Sequence, residues 1–170
     1  MSKNSSQTSA GPQQDKAATP LSVLQRFRVL IRSVQRHSHW MEKHSGVTGA
    51  QLWAMQELLE SPGLRVGDLA KRMALHQSTA SNMVDKLEST GRLRKERQTA
   101  DHRVVRLYLT EAGTELLAVA PSPARGLLPE ALRLMDSAAL TRLQSDLDGL
   151  LTQIRRVDEG LGMQPLPLAE

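Results

Sequence analysis

Residues 77–91 read QSTASNMVDKLESTG, and residues 92–110 continue as RLRKERQTADHRVVRLYLT. Over 77–89 the apolar positions Ala80, Met83, Val84 and Leu87 fall at i, i+3, i+4 and i+7, which is one face of a helix. The opposite face carries Ser78, Thr79, Ser81, Asn82 and Lys86, and Gly91 is a usual helix stop. The period then changes. Leu93–Arg97 alternates partly and Val105, Leu107 and Leu109 alternate better, on either side of the polar residues 98–103. That pattern predicts a β-hairpin directly after the helix.

Working outward, residues 64–73 predict a short helix that buries Val66, Leu69, Ala70 and Met73. Only Ala74-Leu75-His76 separates it from the next helix, a connection suited to a helix-turn-helix. Thr48 and Gln51 have capping-box spacing and open a helix with Leu52, Trp53, Met55, Leu58 and Leu59. It is apolar over more than half its circumference, which predicts a central position, and it stops at Ser61-Pro62-Gly63. From Leu21 to about His44 a long helix carries one stripe of Leu24, Phe27, Ile31, Val34 and Met41 and another of Val23, Leu30 and Trp40. Two stripes require two packing partners, its own domain and a second copy of the chain. Downstream, Thr110 caps a helix over 111–120. Pro121-Ser122-Pro123 interrupts it, with Ser122 and Pro123 predicted as N-cap and first residue of a continuation. A last helix over 137–157 carries Leu140, Leu143, Leu147, Leu150, Leu151 and Ile154.

The expected organisation is a flexible arm over 1–20, one domain over 21–157 and a flexible tail over 158–170. Residues 1–20 contain no Val, Ile, Leu, Phe, Trp or Tyr to offset the entropy of ordering them. The expected fold is mainly α: a winged helix-turn-helix core over 46–110 with a two-stranded β-wing, flanked by dimerisation helices at 21–44 and 111–157. A chain of 170 residues is long enough to bury such a core.

With no cysteine, disulfide frameworks, thiolate metal sites and thiol redox sensing are excluded. No apolar run approaches the roughly 20 residues of a membrane helix, so a soluble, cytoplasmic protein is expected, with no membrane partner. No P-loop, dinucleotide fingerprint, HExxH or nucleophile elbow occurs, so no enzyme and no cofactor are expected. In His37-x-His39 with His44, His37 and His44 share a helix face, but no carboxylate or third ligand joins them at a typical spacing, and no metal site is expected. The net charge of +4 is uneven: residues 63–110 hold ten Lys/Arg and five Asp/Glu, whereas 111–170 hold five and nine. A basic block of this kind suits a polyanion.

Helix, short turn, polar-faced helix and basic hairpin is the order of a winged helix-turn-helix. In that arrangement Ser78, Thr79, Ser81 and Asn82 are placed to read base edges in the major groove of double-stranded DNA. Lys86, Arg94, Arg97 and Arg103 are placed for the backbone or the minor groove. The alternative is a winged-helix module that binds protein, which has no need of Arg103 or the basic wing.

Leu69-Ala70-Lys71-Arg72-Met73, Ser78-Thr79-Ala80-Ser81, Leu87-Glu88-Ser89-Thr90-Gly91, Asp101-His102-Arg103 and Leu109-Thr110-Glu111-Ala112-Gly113 together resemble the multiple-antibiotic-resistance regulator (MarR) family. The resemblance implies a homodimeric transcription regulator, usually a repressor, released from an inverted-repeat operator by a small-molecule effector. It implies that Arg103 enters the minor groove and that Asp101 holds the wing tip. It also implies an effector pocket between the dimerisation helices and the DNA-binding lobe, with His37, Trp40, Met41, His44, Trp53 and Met55 as candidate lining. His76-Gln77 and Asn82 depart from the family pattern at the start and on the outer face of the recognition helix, and Glu96 interrupts its basic strand.

Overall fold

The computed structural model describes residues 17–97, 104–154 and 158–166. The long first helix, α1 (Pro20–Ser45), starts in a capping box in which the Thr19 hydroxyl accepts from the Ser22 amide and the Ser22 hydroxyl from the Thr19 amide. It ends at Gly46, whose φ of 67° makes the left-handed turn that closes the helix. α2 (Gly49–Glu60) opens on the expected Thr48–Gln51 box. It is the central element, packed against α1, α3 (Val66–Arg72), α5 (Glu111–Val119) and the second wing strand. Met41, Leu52, Met55, Leu58, Leu69, Val84, Leu87, Leu93 and Leu107 form the fully buried centre of one core.

α4 (Gln77–Ser89) buries Ala80, Met83, Val84 and Leu87, the face expected from their spacing. Strands β1 (Leu93–Arg97) and β2 (Val105–Leu109) pair antiparallel, Leu93 opposite Leu109 and Arg97 opposite Val105. Leu93 and Leu107 point into the core from the same face of the hairpin. Leu64, expected at the start of the short helix, instead bridges to Leu107 and extends the wing by a third short segment. The Gly63 amide donates to the Leu107 carbonyl, the Leu107 amide to Leu64 and the Arg106 guanidinium to Gly63, so backbone pairing here outcompetes helix.

Two further expectations are corrected. Ser122 and Pro123 do not begin the next helix. The Gly126 amide donates to Pro123, and Gly126 at φ 87° turns the chain into α6 (Leu127–Arg133). In α1, the stripe from Leu24 to Met41 is buried only at Val34 and Met41. Leu24 and Ile31 are exposed because the N-terminal half of the helix extends past the core. α7 (Ser137–Thr152), capped by Asp136, buries no residue at all. Among the described residues no helix is long and apolar enough to cross a membrane.

Candidate nucleic-acid interface

The turn that sets α4 against α3 is fixed by backbone hydrogen bonds. Leu75 N–H donates to the Ala70 carbonyl and Ala74 N–H to that of Lys71, the paired bonds of a Schellman motif. The motif requires a left-handed residue, and Ala74 fills that place at φ 52°. Leu75 is thereby drawn into the core beside Leu69 and Met73.

Of the residues expected to reach nucleic acid, Ser78 and Asn82 lie exposed on the side of α4 away from the core. Thr79 and Ser81 are half-buried on the two flanks, and Lys86 is exposed on the Thr79 flank. His76 is the N-cap of α4 but makes no side-chain cap bond, and the first turn carries no acid. The N-terminal amides therefore keep the uncompensated positive end of the helix dipole.

The wing is less uniformly cationic than its composition suggests. Arg94 ion-pairs with Glu96 and its guanidinium lies over the Tyr108 ring, 4.8 Å from the centroid. Lys95, on the opposite face of β1, reaches Asp85 at 2.5 Å and Glu88 at 2.7 Å. Those carboxylates, Asp85 first, hold the Lys95 ammonium above the usual lysine range. Arg97 is exposed at the end of β1. Asp101, His102 and Arg103 lie outside the described residues.

Sequence reasoning passed over Asp85, which shares the outward side of α4 with Ser78 and Asn82, and over Lys95, which neutralises it. The missing signal was register: only the strand pairing shows that Lys95 lies on the face of β1 turned toward α4. It also passed over an open groove of about 760 Å³ between α3, the start of α4 and Val104–Val105, where Arg65, Lys71 and Gln77 line one wall.

A second cavity, of about 500 Å³, lies between α1, α2, α4 and the loop before α6. It brings together His37, Met41 and Trp53 of the six candidates for effector contact. Met55 is instead fully buried in the core. Trp40 and His44 sit on the outer face of α1, where the Trp40 ring lies 5.9 Å from His37 and 5.0 Å from His44. The cavity walls are mostly apolar. His37 is one of the lining residues, and its Nε2 is closed off from solvent without a hydrogen-bond partner among the described residues. Thr79, Asn82 and Lys86 of α4 form part of the same wall.

The family model for MarR matches residues 47–105, the segment from the start of α2 to the start of β2. That segment is similar to the MarR family. The HTH-type transcriptional repressor MdtR of Bacillus subtilis is 38% identical over 87 residues, which cover 51% of this chain and 56% of MdtR. The HTH-type transcriptional regulator TtmR of Methylorubrum extorquens is 27% identical over 126 residues, covering 74% of this chain and 62% of TtmR. The chain thus spans less than two thirds of the length of either. The crystal structure of the transcriptional regulator BldR from Sulfolobus solfataricus has a TM-score of 0.52 at 25% identity, over 79% of this chain and 95% of BldR. The shared fold therefore extends beyond the matched segment. In this lobe the Leu-Thr-Glu-Ala-Gly stretch has a structural task. Thr110 caps α5 through the Gly113 amide and donates its hydroxyl to the Gly91 carbonyl, tying α5 to the end of α4.

Proposed function

We propose that the protein is a sequence-specific DNA-binding transcription regulator that works as a homodimer. The observation that carries this reading is α4 itself: a helix with exposed Ser78 and Asn82, an uncapped N-terminus and a basic hairpin at its side. Ser78, Thr79, Ser81 and Asn82 contact bases. Lys86, Arg94, Arg97 and Arg103 contact the backbone or the minor groove, and Asp101 holds the wing tip. Arg94 must exchange Glu96 for phosphate to do so.

A second copy of the chain is the partner that suits the bare faces of α1 and α7. Leu21, Leu24 and Ile31 are 72%, 42% and 53% exposed, and Leu147, Leu150, Leu151 and Ile154 are exposed along and just beyond α7. A dimer spaces its two recognition helices for half-sites one DNA turn apart, roughly 34 Å.

Repression with release by a small molecule is the regulatory part of the proposal. The cavity holding His37, Met41 and Trp53 is the effector site, and its mostly apolar walls suit a largely apolar ligand. Such a ligand acts only through unequal affinity for the DNA-bound and free arrangements.

The test is selection of genomic fragments by the purified protein at physiological salt. Recovery of an inverted repeat supports the reading. Binding without an enriched sequence, lost as salt rises, leaves only the electrostatic term and favours the protein-interaction alternative.

A further inference from the structure

The sequence offers no reason for residues 158–166 to be ordered, yet they form a seated segment. Asp158 caps a 3-10 turn over Glu159–Met163 by accepting from the Gly160 amide at 2.9 Å, and the Gln164 amide closes it onto Leu161. The Met163 carbonyl then accepts from the backbone amide of His76 at 3.0 Å, the N-cap of α4. Met163 lies at the groove beside Gln77, while Pro165 and Leu166 lie on the wall of the other cavity beside Thr79. The segment thus crosses the start of α4 from one flank to the other.

We propose that residues 158–166 are an intramolecular strap that occupies the N-terminal end of α4 and must leave before DNA reaches it. The inference rests on α4 being the DNA-reading helix. Net charge agrees with the seat: residues 158–166 contain Asp158 and Glu159 and no Lys or Arg, against the basic excess of 63–110. The contact made at that end of α4 is the Met163 carbonyl on the His76 amide, so the segment covers the helix start that a nucleic acid would approach. The seat is also shallow. Leu161, Met163 and Leu166 remain 61%, 39% and 53% exposed, so little apolar surface is lost when the strap lifts. A strap of this kind raises the apparent Kd for DNA by the inverse of the fraction of molecules in which it is off. Because Pro165 and Leu166 also wall the cavity, whatever fills the cavity meets the strap as well as α4.

The test compares the full chain, its Leu166→Asp variant and a chain ending at residue 157. Affinity for the selected DNA is read by fluorescence anisotropy and the His76 amide by hydrogen exchange, after thermal melts establish that both variants fold. The expected result is affinity about five-fold or more tighter in both variants, with faster exchange at His76. Equal or weaker affinity in both variants overturns the strap and leaves the DNA-binding reading intact, since the full chain still binds. An unchanged His76 exchange rate also overturns it, because the segment is then not seated there. Failure of all three proteins to select any sequence overturns both the strap and the reading beneath it.

Discussion

Glu57 and Arg125 meet at 2.9 Å across the join between α2 and the loop leading to α6. Glu57 is 7% exposed and accepts, besides the Arg125 guanidinium, the Trp53 indole N–H at 3.0 Å and a long contact from Arg72 at 3.5 Å. A buried carboxylate with three donors is satisfied; with its closest cation removed it is a charge short of a partner. Arg125→Ala is expected to cost about 2–3 kcal/mol in urea unfolding. The cost should shrink in the Arg125→Ala, Glu57→Gln double variant, and an additive double variant would show that the two residues do not form a pair.

The neighbouring carboxylate gives this join a pH dependence. The Arg125 guanidinium, and after it the Gln56 amide, hold the Glu60 carboxyl below the usual carboxylate range. A depressed folded value contributes stability above the unfolded pKa of about 4.3 and loses it as pH falls through the folded value. The melting temperature should therefore fall on acidification below about pH 4.3, and Glu60→Gln should flatten that limb. An acid limb of the same slope in both proteins would remove Glu60 from the account.

Ala74 carries a left-handed backbone without the freedom of glycine. Ala74→Gly relieves a strain of about 1–2 kcal/mol and gives back roughly half as unfolded-chain entropy. The urea midpoint should rise by an amount equivalent to about 0.5–1 kcal/mol, with an unchanged slope.

At Gly113 the opposite holds. A Cβ there would overlap the backbone carbonyl of Arg92, which cannot rotate away because the Thr110 amide donates to it at 3.2 Å. Gly113→Ala should destabilise by about 1–3 kcal/mol despite alanine's better helix propensity. Calorimetric melts of the two proteins decide it.

Lys95 bears on the proposed DNA contact without touching DNA. Lys95→Ala leaves Asp85 and Glu88 unneutralised on α4, so DNA affinity should fall about ten-fold at low salt and less at high salt. Adding Asp85→Asn should restore most of the loss. No restoration would mean that Lys95 acts by contacting phosphate itself.

α2 and α4 were readable because each announces itself locally: Thr48–Gln51 as a box, Ala80, Met83, Val84 and Leu87 as a stripe, Gly91 as a stop. Leu64 was misread because its β-bridge partner, Leu107, lies 43 positions away, beyond any local period. The start of α6 was misread for a related reason. Ser122-Pro123 is a good helix opening by composition, but Gly126 supplies the turn that the packing of α6 on α1 requires. The candidate lining of the cavity split evenly. His37, Met41 and Trp53 face it, while Met55, Trp40 and His44 do not, since residue type cannot tell the side of a helix that meets core from the side that meets space.

Thr79, Asn82 and Lys86 belong to the wall of the cavity and to the flank of α4 at once. One small set of side chains thus answers to two sets of demands, the shape and polarity of a cavity and the chemistry of an outward helix face. A substitution that retunes one retunes the other. Descendants of this chain could not reshape the cavity through these three positions while keeping the face of α4 as it was.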